Sequence, residues 1–257
     1  MAGIGIALQL YTVREPAAKD LIGTLKRARQ IGFEYVQWSG MPDLRADQIR
    51  DALDAAGLTA VAAHVDVEAF ERDYEASVEF WKTAGVSDVA PGGMMNDCKD
   101  SLEVWLRGAK RLDALGARLR EDGMRLGYHN HSFEFGTFPG DARCKLDILY
   151  QETAPANLYA ELDVAWVQVG GADPAAYLRK YAGRCPVIHV KDLAAEPRAG
   201  RPWFTPLGQG VLDWDDVFAA CADAGVEWAV YEQDTHDGDP LDSVSASYDF
   251  LASKVGG

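Results

Sequence analysis

Positive charge is what this chain has least of: 25 Lys and Arg against 40 Asp and Glu leave a formal net charge of −15. A protein that grips a phosphate backbone needs a basic stripe, and an anionic membrane surface asks for the same, so the composition argues against both as partners. Cysteine is also sparse. Cys98, Cys144, Cys185 and Cys221 form no Cys-x-x-Cys pair, which argues against a disulfide frame or a zinc cluster and predicts reduced thiols. No apolar run reaches membrane-spanning length, and the apolar start lacks a basic segment and a cleavage motif, so the expectation is a soluble, cytoplasmic protein. No Gly-x-Gly-x-x-Gly follows the first apolar segment, which weakens a dinucleotide-binding reading.

What is there is a regular alternation. With 48% hydrophobic residues, a chain of 257 can bury a substantial core. Short β-branched runs at 4–10, 35–38, 58–64, 86–90, 125–131, 158–163, 185–192 and 227–232 predict strands. Between them lie helical stretches, several of them stopped by a glycine: 24–31 before Gly32, 46–56 before Gly57, and a long one through Phe80 and Trp81 to Gly85. Helices are also predicted over 101–119, 144–153, from Asp173-Pro174, from Asp213 or Asp215, and over 241–254. Eight strand-then-helix units with short returns predict one closed parallel barrel, a single (β/α)8 TIM barrel domain over residues 1–257. The longest irregular segment, 194–210, is rich in Pro and Gly and is a candidate cover for a site.

In such a barrel the carboxyl ends of the strands share one mouth. His64, His129, His131, Asp163, His189 and Glu232 fall at these ends, in five strands. One strand-end histidine is most often a hydrogen-bonded rim residue; six metal-binding side chains at equivalent positions predict a bound divalent ion. Imidazole and carboxylate ligands without thiolate suit Mn²⁺, Mg²⁺, Co²⁺, Fe²⁺ or Zn²⁺. Such an ion chelates a carbonyl and its neighbouring hydroxyl and makes the C–H between them acidic.

Six segments carry a resemblance. Tyr-His-Asn-His (128–131), Glu-Leu-Asp-Val-Ala-Trp (161–166), the run 173–184, His-Val-Lys-Asp (189–192), Gly-Gln-Gly-Val-Leu-Asp-Trp (208–214) and Glu-Gln-Asp (232–234) resemble the sugar phosphate isomerase/epimerase superfamily, the xylose isomerase-like barrels. The resemblance implies a metal held by strands five to eight, with Asp163, His189 and Glu232 as three ligands. For the fourth, relatives carry a strand-five glutamate; here the position is His129, and Glu134 follows five residues on, so either completes the set. It implies acid/base work for His131, Glu134 or Glu232. The strand-five motif is also similar to inosose dehydratases, which keeps a lyase open beside an isomerase or epimerase.

Lys191 is a candidate to meet a substrate oxygen or an enediolate, or else to pair with Asp192. His64 is expected to touch substrate, and Trp38, Trp166, Trp203 and Phe204 are candidates to stack on sugar C–H faces. Glu161, on the face of Asp163, is a further candidate to bind substrate and needs a partner, Lys191 or an arginine. No phosphate cradle is present. The expected partner is a small sugar, keto-sugar or cyclitol, and a homo-oligomer stays open. Five histidines and the acidic balance argue against the endonuclease branch of these barrels, and the intact Asp163, His189 and Glu232 set argues against a non-catalytic binding protein.

Overall fold

The computed structural model describes residues 3–255, so the ends of the expected 1–257 domain lie outside the described residues. Among the described residues ten strands occur in chain order. They are β1 (Gly5–Gln9), β2 (Tyr35–Trp38), β3 (Thr59–His64), β4 (Asp88–Ala90), β5 (Arg125–His129), β6 (Tyr159–Asp163), β7 (Val187–Val190), β8 (Asp192–Leu193), β9 (Phe204–Thr205) and β10 (Trp228–Tyr231). Eight of them close a parallel barrel in the order β1-β2-β3-β4-β5-β6-β7-β10, and β8 pairs antiparallel with β9 as a small hairpin. The segment 194–210 is therefore partly ordered structure, anchored at both hairpin strands. No described helix is long and apolar enough to cross a membrane.

Strand alternation sorts the side chains into two sets. Val36, Ala63, Val89, Leu126, Leu162, Ile188, Val190 and Ala229 face outward into the core shared with the helices. At the amino ends the inward positions are apolar, with Ala7, Tyr159, Val187 and Val230 buried together. Two residues further along each of these strands the inward position turns polar: Gln9, Glu161, His189 and Glu232, all buried. This switch positions the site. Gly127 makes the filling possible, since a Cβ there would lie 2.4 Å from the Tyr159 ring.

Local departures have visible causes. The long helix expected before Gly85 is two, Val67–Arg72 and Tyr74–Thr83, because Asp73 is extended between them and its carboxylate accepts from Ala76 N at 3.1 Å. The even alternation that would put Ala60, Ala62 and His64 on one face of β3 is broken by a bulge opposite Val36 and Gln37. Ala60 consequently joins the outer core with Ala63, and His64 turns to the lumen. A short helix, Val164–Val169, follows β6 directly and is capped by Asp163.

Candidate metal centre

The closed register places Asp163 beside His189 across β6 and β7. His129, Asp163, His189 and Glu232 are all buried, and one donor atom of each lies within 4.8 Å of the others. The two oxygens of Asp163 do different work. Oδ1 accepts the Trp166 N–H at 2.9 Å and caps the following helix. Oδ2 is buried with no hydrogen bond, 3.4 Å from His129 Nε2, and both ring nitrogens of His129 are also buried without a partner. Lys191 Nζ stands 3.1 Å from the same Oδ2, a charge contact without hydrogen-bond geometry. Buried polar atoms without partners are rare and costly. A carboxylate oxygen facing an imidazole nitrogen is the kind of donor set a divalent cation satisfies, and the residues present fit one.

Electrostatics follow from closeness and burial. Burial and the neighbouring His189 push His129 down to about 3, so it is neutral at pH 7. Burial opposes charge on His189 too, but Glu161 and Glu232 carry it up to about 10. Lys191 is 1% exposed, yet Asp163, Glu232 and Asp234 hold its ammonium charged, with a pKa above the usual lysine value. Of the two roles open to Lys191, the pairing with Asp192 does not occur. Lys191 turns inward to Asp163, Glu232 and Asp234 at 3.0–3.1 Å. The Asp192 carboxylate instead accepts N–H groups from Leu193, Gly208, Gly210 and the Trp214 indole at 2.9–3.0 Å. Gly210 has to be glycine, because a Cβ there would lie 2.1 Å from Asp192 Oδ1.

Below the cluster sits a layer that the sequence reading missed in part. Gln37 donates to both oxygens of Glu161 at 3.0–3.1 Å, Gln9 donates to Gln37, and His64 meets Glu161 Oε1 at 2.6 Å. Glu161 therefore pairs with His64, Gln37 and His189, not with Lys191 or an arginine. His189 Nε2 lies 2.6 Å from Gln37 Oε1 and 3.0 Å from Glu161 Oε1, and Nδ1 lies 2.7 Å from Glu232 Oε2, so both nitrogens of the charged ring face acceptors and Nδ1 is the one on the cluster side. Asn130 was also missed: its Oδ1 accepts from Asp163 N at 3.1 Å and ties the end of β5 to β6. Glutamines in the inward register of the apolar runs β1 and β2 were the readable signal.

The mouth is aromatic. His131 and Phe204 each pack on Trp166, at 5.4 and 5.0 Å between ring centroids, and Lys191 lies over both Trp166 and Phe204. Phe204 is 2% exposed, while Trp203 is only partly buried, under Arg198. Trp38 does not reach the lumen. It alternates with the inward Gln37 and packs in the outer core.

Glu134 is also away from the cluster. The 3₁₀ turn Phe133–Phe135 folds it back so that Tyr128 Oη–H donates to it at 2.8 Å and His131 N–H at 2.9 Å. Burial pushes its carboxyl from 4.5 up to about 7, against those two donors. With the folded value above the unfolded one, this group's stability contribution is complete below pH 4.5 and lost as pH rises through about 7. Glu134→Gln should therefore flatten the decline in unfolding free energy over that window by roughly 3 kcal/mol. Urea titrations of both proteins at a series of pH values check this, and parallel curves would show that the carboxyl titrates normally.

The family model described as xylose isomerase-like TIM barrel matches residues 25–254. An inosose dehydratase of Clostridium tetani is 28% identical over 171 residues, 60% of this chain and 55% of the relative, so the chain spans about half the length of the curated relatives it matches. Among solved structures, a sugar phosphate isomerase/epimerase from Parabacteroides distasonis superposes with a TM-score of 0.83 at 19% identity, covering 99% of this chain and 96% of that one. The IOLI protein with a bound zinc atom superposes with a TM-score of 0.71 at 15% identity, covering 98% of each chain. At these identities the structural matches bear on the fold alone.

Proposed function

Because the chain belongs to the xylose isomerase-like TIM barrel family, we propose that it is a divalent-metal-dependent enzyme that removes a proton beside the carbonyl of a keto-sugar or cyclitol, with isomerisation or epimerisation as the net outcome. The observation that carries this reading is the buried set of His129, Asp163, His189 and Glu232, in which neither ring nitrogen of His129 nor Asp163 Oδ2 makes a hydrogen bond. A bound cation supplies Lewis acidity to the substrate carbonyl, and Mn²⁺, Mg²⁺, Co²⁺, Fe²⁺ and Zn²⁺ all suit these donors. The zinc of the IOLI protein accords with such a site.

The chain's own residues supply the rest. Lys191 offers an ammonium to an oxyanion that develops at the substrate carbonyl. The Trp166 and Phe204 rings form an apolar wall for sugar C–H faces. Proton transfer falls to Glu232 and to His131, whose ring reaches the mouth beside Trp166. Glu134 is reserved for holding the β5 turn, and His64 and Glu161 serve as supports below the site.

A second reading, loss of water from the same substrate class, is favoured by the similarity to inosose dehydratases and by His129 standing where an opposed carboxylate is absent. Incubating the Mn²⁺-loaded protein with 2-keto-inositol and with ketohexoses in D₂O tests both. Deuterium uptake next to the carbonyl is expected, a new enedione absorbance would mark the lyase, and no exchange with either class would overturn the proposal. Glu161→Gln should lower metal affinity about 10- to 100-fold by loosening the carboxylate–histidine support of His189. Calorimetric titration with Mn²⁺ reads this, and an unchanged affinity would leave Glu161 a filler of the lumen.

A further inference from the structure

Lys191 stands where a cation would compete with it. Its Nζ is 3.1 Å from Asp163 Oδ2 and 3.1 Å from Glu232 Oε2. These are the same oxygens that face the histidines: Oδ2 lies 3.4 Å from His129 Nε2, and Oε2 lies 2.7 Å from His189 Nδ1. The ammonium's third partner, Asp234 Oδ2 at 3.0 Å, is not a member of the cluster and is the most exposed of the three carboxylates, at 21%.

We infer that Lys191 is a built-in competitor of the metal ion, a tethered monovalent cation that shares the ligand oxygens of Asp163 and Glu232 and withdraws toward Asp234 when a divalent ion enters. The inference rests on the metal centre proposed above. Without an ion, three converging carboxylates in a dry site repel one another, and one buried ammonium holds them in place. With an ion, the same ammonium adds like-charge repulsion at short range in a low-dielectric surrounding. The two roles together give a site that is preformed when empty and binds its metal loosely enough to exchange it. A lysine serving only as a brace predicts the opposite sign, since its removal would splay the ligands and weaken metal binding.

The sign of one change decides between them. Metal-free wild-type protein and Lys191→Met are titrated calorimetrically with MnCl₂, with circular dichroism as a folding control. The variant is expected to bind Mn²⁺ at least about tenfold more tightly with one ion per chain, because repulsion and competition are both removed. Lys191→Arg, which keeps the charge, is expected not to tighten. Unchanged or weaker binding by Lys191→Met overturns the inference and leaves the metal centre standing; no binding by either protein overturns both.

Should Lys191→Met fail to fold, wild-type protein carries the test. A buried ammonium exchanges its protons slowly enough for ¹H–¹⁵N NMR, and its resonance is expected to shift when diamagnetic Zn²⁺ saturates the protein. A resonance unmoved at saturation contradicts the displacement.

Discussion

Asp163→Asn should leave a folded barrel that no longer takes up a divalent cation. The residue's two oxygens separate the outcomes. Asparagine keeps a carbonyl oxygen for the Trp166 N–H that Oδ1 now accepts at 2.9 Å, so the cap of Val164–Val169 survives. In place of Oδ2 it puts an amide NH₂, which has no lone pair for a metal and points hydrogens at the Lys191 ammonium 3.1 Å away. Loss of an outer partner of a metal ligand already costs about 10- to 100-fold in affinity or activity, so loss of a ligand should cost at least about a hundredfold in both. Calorimetry with Mn²⁺ and deuterium exchange into substrate read the two quantities, with circular dichroism as the folding control. A variant that binds and exchanges like wild type would remove Asp163 from the centre.

Asp192→Ala should act on stability and on the covering segment together. Its carboxylate is fully buried and collects N–H groups from both ends of the 194–212 region. Truncation leaves those donors buried without an acceptor, and the expected cost is about 3–5 kcal/mol of unfolding free energy. Phe204, which packs on Trp166 from the hairpin, loses its anchorage, so proteolytic cleavage within 194–210 should accelerate. Denaturant melts and limited proteolysis measure the two effects. A loss below about 1 kcal/mol would show that water replaces the carboxylate.

The barrel was legible because its signals are local and periodic. β2 and the helix Ala46–Ala56 match their expected bounds, each set by an apolar pattern and a terminating residue. Asp73 and Asp163 defeated that reading for a common reason: one aspartate cap ends a helix in what looks like a continuous run, and another starts a helix while serving the cluster. The bulge in β3 leaves no trace in composition, since alanine fits either face. Trp38 was misassigned although strand period two contains the answer, because once Gln37 faces inward its neighbour faces out.

At the site, strand ends named most of the side chains that come together but not their pairings. Which carboxylates meet Lys191 depends on three strands brought into one register by closure, and nothing near Lys191 in sequence encodes that. Glu134 lies away from the cluster because a 3₁₀ turn folds it under Tyr128, a matter of backbone direction after the strand ends.

Anomalous scattering from crystals grown with Mn²⁺ tests the central claim most directly. One peak is expected, within about 2.0–2.4 Å of donor atoms from His129, Asp163, His189 and Glu232 together. A peak held instead by Glu134, or by His64 and Glu161, or no peak at saturating Mn²⁺, would contradict it.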